Sequence, residues 1–194
     1  MNPVPPSPAD RHVELVLAGR QISIQPFRAE DLEPVEDILR QTGNFKEVEL
    51  HLAREMLETV LSEPDRTSYL AYVAVQVDSS PQQVRGYVMF GPTPATAGTW
   101  DLYWIAVAPS WYGTGVARAL DEYVTDYVQQ TGGYWVIVQT SSQPTYARPR
   151  AFYSRQGYRV LAAIDDYYSP GDNLIIYGKR LPSQSARFGT TFPR

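Results

Sequence analysis

Apolar residues alternate over Val13–Leu17 and again at Ile22, Ile24 and Phe27, on either side of Gly19, which predicts an opening β-hairpin. The period then lengthens. Leu32, Val35, Ile38 and Leu39 share one face of a predicted helix, with Asp31 in position to cap its start and Gly43 to stop it. A second helix, over Phe45–Leu61, repeats Val48, Leu52, Met56 and Val60 on its predicted buried face and carries Lys, Glu and Arg on the other. Pro64 lies just beyond it.

Two strands, Tyr69–Val77 and Val84–Phe90, follow around the polar segment Asp78–Gln83, the pattern of an antiparallel meander. Leu102–Val107 and Tyr134–Val138 are almost continuously apolar, as strands covered on both faces tend to be. Between them Val116, Leu120, Tyr123, Val124, Tyr127 and Val128 form one stripe of a helix over Val116–Gln130, ended by Gly132 and Gly133. After Thr140 come a proline-containing connection, a short helix ending at Gly157, a strand Tyr158–Ile164, a turn at Ser169–Asp172 and a last strand Leu174–Leu181. This order predicts a mixed α/β fold around a central sheet.

Length and composition narrow the picture. The 194 residues fit one core, expected over residues 11–182, with the proline-rich residues 1–10 as a disordered leader and 183–194 as a flexible tail. A net charge of -4 with acids spread along the chain offers no basic stripe for nucleic acid. With no cysteine and only His12 and His51, disulfides, thiolate chemistry and a metal cluster are not expected. No apolar run approaches the roughly 20 residues that span a bilayer, and the N-terminus has no signal-like pattern, so no membrane association and a cytoplasmic location are expected.

The chemistry points to one segment, Trp100–Leu120, where a buried strand passes through a tight turn into a helix. Gly113 and Gly115 allow backbone conformations closed to other residues, so that amide N–H groups and the helix N-terminus can converge on a phosphate. Taken alone, such a Gly-x-Gly more often only turns the chain. No Gly-Lys-Ser/Thr follows, and the three-glycine dinucleotide spacing is absent.

With its neighbours, however, this segment resembles the GNAT acetyltransferase superfamily, whose fourth strand ends in a loop of the form Gln/Arg-x-x-Gly-x-Gly/Ala. Gly115 and Ala117 fill the glycine and Gly/Ala places, Gly113 is the usual extra glycine, and Tyr112 stands where the family has Gln or Arg. That departure removes a polar side chain, for which Arg118, within the first turn of the helix, is the expected substitute. A second match, Ala151–Tyr158, looks like the family's Phe-Tyr-x-x-x-Gly-Phe/Tyr segment. The resemblance runs over residues 20–181 in element order, and these two segments are its specific part.

The resemblance implies a mostly antiparallel sheet with flanking helices, in which the strands at Leu102–Val107 and Tyr134–Val138 run parallel and splay apart. It implies that acetyl-CoA lays its pantetheine along the backbone of Ile105, Ala106 and Val107, and its diphosphate against Tyr112, Gly113, Thr114, Gly115, Val116, Ala117 and Arg118. A primary amine, of a small molecule or a protein, then attacks the thioester directly in a ternary complex. Tyr153 matches the family's tyrosine that protonates the leaving thiolate, the plainer reading being an aromatic packed under its helix. Asp101 aligns with an acid used as general base, the plainer readings being a solvated strand start or a partner for a cation. The acceptor is expected near Phe45–Glu49 and Asp165–Asp172, where Glu47, Glu49, Asp165 and Asp166 either attract an amine or are merely solvated. Trp100, Trp104, Trp111 and Tyr112 either line a pocket or pack the core, and His51 falls at the edge of a solvent face. Family members often form homodimers. The competing function is a non-catalytic acyl-CoA sensor or interaction module on the same fold.

Overall fold

The computed structural model describes residues 12–63 and 68–182; the leader expected over 1–10 and the tail over 183–194 lie outside the described residues. Among the described residues, eight strands follow the order β1-β2-β3-β4-β5-β6-β8-β7 in one mixed sheet, with four α-helices. The chain divides into two compact units. One comprises the described residues up to Gly91 together with Leu102–Glu122, and the other Pro92–Asp101 together with the described residues from Tyr123 onward.

The first unit begins with the hairpin of β1 (Val13–Leu17) and β2 (Arg20–Pro26). Ala18 and Gly19 both take positive φ, 50° and 72°, the two-residue turn whose twist matches that of the flanking strands. Helices α1 (Leu32–Thr42) and α2 (Glu47–Ser62) follow, then β3 (Leu70–Gln76), β4 (Gln83–Pro92) and β5 (Thr99–Val107). Val35, Ile38 and Leu39 of α1 and Ala53 and Leu57 of α2 pack on Ala71, Val73 and Val75 of β3, Tyr87 and Met89 of β4, and Ala106 of β5. Gly43 ends α1 in the left-handed conformation, φ 68°, as its sequence position predicts.

Two local expectations are corrected here. Asp31 does not cap α1 with its side chain; it ends a 3₁₀ turn, Ala29–Asp31, and its carboxylate reaches back to accept the N–H of Arg28 at 2.9 Å. Only the second half of the predicted apolar face of α2 turns inward: Met56 and Val60 pack against the core, whereas Val48 is 69% and Leu52 50% exposed. Leu50, Ala53, Leu57 and Leu61 form a second apolar row on the same helix, and the small side chain of Ala53 lets that row approach the core closely.

In the second unit, Thr99–Asp101 at the start of β5 pair in parallel with Trp135–Ile137 of β6 (Trp135–Ser141). Helix α3 (Val116–Gln130), which starts in the first unit, makes the crossover, and all six residues of its predicted stripe are buried. Then come α4 (Ala147–Arg155), β7 (Arg159–Ser169) and β8 (Asp172–Arg180). β8 pairs antiparallel with both β6 and β7. β7 is longer than its apolar pattern predicts, because Asp165–Ser169 continue the strand after a break in register beyond Ile164. It is the last strand of the sheet order and every one of its residues is exposed, including Val160, Leu161, Ile164, Tyr167 and Tyr168. No described helix is long and apolar enough to cross a membrane.

Candidate active site

The loop after β5 is built by short local hydrogen bonds. The Ala108 N–H donates to the Arg85 carbonyl at 2.8 Å, tying the end of β5 to β4. Pro109–Trp111 then form one 3₁₀ turn, in which the Trp111 N–H donates to the Ala108 carbonyl at 2.8 Å, and the Thr114 hydroxyl returns to the Trp111 carbonyl at 2.7 Å. Gly113 and Gly115 take φ of 80° and 98°. A Cβ at Gly113 would meet nothing within 4 Å, and one at Gly115 only Leu17 at 3.5 Å, so backbone conformation rather than space requires glycine there.

Helix α3 starts at Val116, and the Ala119 N–H already donates to the Gly115 carbonyl at 2.9 Å. The N–H groups of Val116, Ala117 and Arg118 therefore precede the first intrahelical bond, at the positive end of the helix dipole. Val116 is buried and anchors this end. Gly86 of β4 makes room for it, since a Cβ there would lie 3.1 Å from both Val116 and Val107 and 2.9 Å from the Ala106 carbonyl. The side chains of Ala106 and Val107 are buried and that of Ile105 half-buried, so this stretch has chiefly main-chain groups to offer a ligand.

The cations near the loop differ from the sequence-based expectation. The Arg118 Nε donates to Glu122 Oε1 at 2.7 Å on an exposed face, so its side chain already serves an acid one turn away. Arg85, which the sequence reading passed over, has its guanidinium carbon 5.1 Å from the centroid of the Trp111 ring. Its one sequence signal is a lone charge between Val84 and Gly86 in an otherwise apolar strand.

Asp101 and Tyr153 belong to the second unit. Asp101 is half-buried at the last residue of the parallel pairing with β6, opposite Ile137, and Oδ2 accepts the Thr93 hydroxyl at 2.7 Å. Among the described residues it has no ion pair. Tyr153, on α4, is 8% exposed and packs its ring against Phe152, Tyr158 and Tyr177, with centroids 5.6–5.8 Å away. Three residues before it, Arg150 donates from Nη1 to the Ser141 carbonyl at 2.7 Å and the Gln143 carbonyl at 2.9 Å, fastening α4 to the end of β6. The buried hydroxyl of Ser141 in turn donates to the buried carboxylate of Asp172.

Of the acids expected near an acceptor, Asp165 accepts from Asn173 at 2.9 Å, and Asp166 accepts the Gly171 N–H at 2.7 Å. Glu49 closes the start of α2 by accepting the Lys46 N–H at 2.7 Å. Glu47 is exposed, as is His51. The aromatic residues are dispersed: Trp104 meets Phe45 edge-on at 5.3 Å and donates to the Met56 sulfur, whereas Trp100 packs against Tyr127 in the other unit. Among the described residues there is no group of three or more His, Asp or Glu side chains able to hold a metal.

Residues 66–160 match the family model described as "Acetyltransferase (GNAT) domain". The chain is 34% identical to a solved acetyltransferase described as of the GNAT family, from Desulfovibrio desulfuricans, with a TM-score of 0.78 over 83% of this chain and 99% of the other. An aminoglycoside 6'-N-acetyltransferase solved with coenzyme A is 17% identical, with a TM-score of 0.64 over 83% of this chain and 98% of the other. The ribosomal-protein-S18-alanine N-acetyltransferase of Escherichia coli is 16% identical, with a TM-score of 0.66 over 89% and 99%. The last two likenesses concern the fold. No curated protein matches the sequence.

Proposed function

Because this chain belongs to the GNAT family of acetyltransferases, we propose that it moves an acetyl group from acetyl-CoA to a primary amine by direct attack within a ternary complex. The observation that carries the reading is the identity to a GNAT chain over nearly all of that chain's length, joined to the Gly113–Gly115 turn at the start of α3. Residues 11–182 act as one acetyltransferase domain in this reading.

The loop suits a diphosphate. The main-chain N–H groups of Gly113, Gly115, Val116, Ala117 and Arg118 and the positive end of α3 supply donors without a side chain from Tyr112, the Thr114 N–H being taken by the Trp111 carbonyl. The main chain of Ile105–Val107 suits the amides of pantetheine as an added strand would. Acetyl-CoA supplies the activated acyl group. Asp101 takes a proton from the ammonium, the amine nitrogen bonds to the acyl carbon as the carbon–sulfur bond breaks, the Tyr153 phenol protonates the departing thiolate, and the second proton of the acylated nitrogen leaves to solvent, from which the phenolate is reprotonated.

The acceptor is a small-molecule amine or a protein amino group, as in the aminoglycoside and ribosomal-protein enzymes of similar fold. The exposed apolar pair Val48 and Leu52 on α2 favours an acceptor with an apolar part. The same reading places the enzyme in the cytoplasm and, given the exposed apolar edge strand β7, in a homodimer.

Release of free coenzyme A in the presence of amines tests the function. Tyr153→Phe is expected to lower kcat by about 10²-fold or more while leaving acetyl-CoA affinity unchanged. Binding of acetyl-CoA without turnover on any amine favours the sensor reading instead.

A further inference from the structure

Arg85 sits at an irregularity of the sheet. Val75 pairs with Val84 and Ala74 with Gly86, so β4 spends one extra residue, Arg85, opposite a single step of β3. Such a bulge turns a side chain out of the regular alternation, and it leaves the Arg85 carbonyl to receive the Ala108 N–H at the mouth of the loop. The guanidinium is fixed on one side by the Trp111 ring. On another, Nε and Nη2 both donate to the Gln76 side-chain carbonyl, at 3.0 and 2.7 Å. Gln76 is buried and passes the bond on, donating to Asp78 at 2.9 Å.

The chemistry of these partners differs from that at other arginines of this unit. Arg40, Arg54 and Arg118 are paired with carboxylates, whereas Arg85 is oriented by a neutral amide and an aromatic ring, so its charge is held in place without being neutralised. Burial, and then the Arg20 guanidinium, depress its hold on the proton, the mark of a cation in a partly desolvated, electropositive place. An anion there offsets the like-charge repulsion from Arg20. The loop it props is the one whose main-chain donors suit a diphosphate, and that loop has Tyr112 at the family's Gln/Arg place.

We propose that Arg85 binds a phosphate group of coenzyme A and is the cation that this chain uses at its phosphate loop. The proposal rests on the coenzyme A reading and adds a residue that the loop motif does not contain. A planar fork already anchored through Nε and Nη2 keeps Nη1 for a phosphate oxygen and loses little freedom on binding.

Calorimetric titration of coenzyme A and of 3'-dephospho-coenzyme A into the wild type, Arg85→Gln and Arg85→Lys tests this, with thermal melts to confirm folding. Arg85→Gln is expected to weaken coenzyme A binding by about tenfold to a hundredfold. Arg85→Lys keeps the charge and the stem but loses the fork, and is expected to cost at least about threefold. An equal loss with both ligands assigns Arg85 to the diphosphate, and a loss confined to coenzyme A assigns it to the 3'-phosphate. In turnover with phosphate-free S-acetylpantetheine, kcat/KM is expected to change little. Affinities within about twofold of wild type for Arg85→Gln, or for Arg85→Lys if the first variant unfolds, overturn the proposal, as does an equal loss on S-acetylpantetheine. A wild type that does not bind coenzyme A at all removes the cofactor reading, and with it this one.

Discussion

The hydroxyl of Thr93 donates a 2.7 Å hydrogen bond to the Asp101 carboxylate, across the turn that joins β4 to β5. The Thr93 N–H also donates to the Thr99 carbonyl, so the donor is held by the backbone on both sides of the turn. A carboxylate oriented in this way is suited to taking a proton along one direction. If Asp101 is the base, Asp101→Asn lowers kcat by about 10²-fold or more with acetyl-CoA affinity unchanged. Thr93→Val, which removes the orienting donor and keeps the shape, lowers kcat by roughly tenfold. Steady-state kinetics on both variants, with binding measured separately, check the pair; an Asp101→Asn enzyme of wild-type rate removes the assignment.

Gly113 and Gly115 are held as glycines by their backbone conformation rather than by lack of space. Neither position is crowded, so alanine costs chiefly the left-handed backbone, about 1–2 kcal/mol at each. The expected outcome is a lower melting temperature together with about a tenfold loss in coenzyme A affinity, because relaxing the turn re-aims the N–H groups that follow. Asn at Gly113, which tolerates positive φ, is expected to restore much of both. Equal coenzyme A affinities for wild type and Gly115→Ala refute the role given to the turn.

Much of the fold was legible because its elements announce themselves locally. Helix α3 begins and ends at the residues its apolar stripe predicts, since no other register of that segment buries Val116, Leu120, Val124 and Val128 together. The register of α2 was not legible, because two apolar rows overlap on it and only the packing partners of Ala53 and Leu57 choose between them. The extension of β7 through Asp165 and Asp166 depends on Asn173 and Gly171, which bond to those residues from across the hairpin. Of the candidate site, the loop was visible in its glycines. Arg85 was not, because its meaning comes from a bulge that exists only in the pairing of β3 with β4.

Asp31 links stability to pH. Burial raises its pKa above the ordinary carboxylate value, outweighing the Arg28 N–H that favours the charged form. Between the ordinary value and the raised one, the folded chain keeps a proton that the unfolded chain has released, so stability falls as pH rises through that window. Above it the whole penalty is present; below the ordinary value it is absent. Asp31→Asn keeps an oxygen to accept the Arg28 N–H and removes the charge. It is therefore expected to raise the urea midpoint at pH 7 and to leave it nearly unchanged at pH 3. A variant less stable than wild type at pH 7 contradicts this account.

The proposed homodimer is tested on β7. Val160 and Ile164 are 55% and 46% exposed on the last strand of the sheet order. Light scattering is expected to give twice the chain mass for the wild type and the chain mass for Ile164→Lys, with the melting temperature of the variant lowered only through lost association. A wild type that runs as a monomer at micromolar concentration rejects it.

The left-handed turn at Gly115 also limits how this gene can drift. Single-base changes turn a glycine codon into alanine, serine, cysteine, valine, arginine, tryptophan, aspartate or glutamate. Of these only aspartate accepts positive φ readily, and its carboxylate would repel the phosphates that the proposed coenzyme A site receives. Asparagine, the one neutral replacement that the backbone tolerates, lies more than a single base change away. The glycine at this position is thus guarded by the genetic code as well as by geometry.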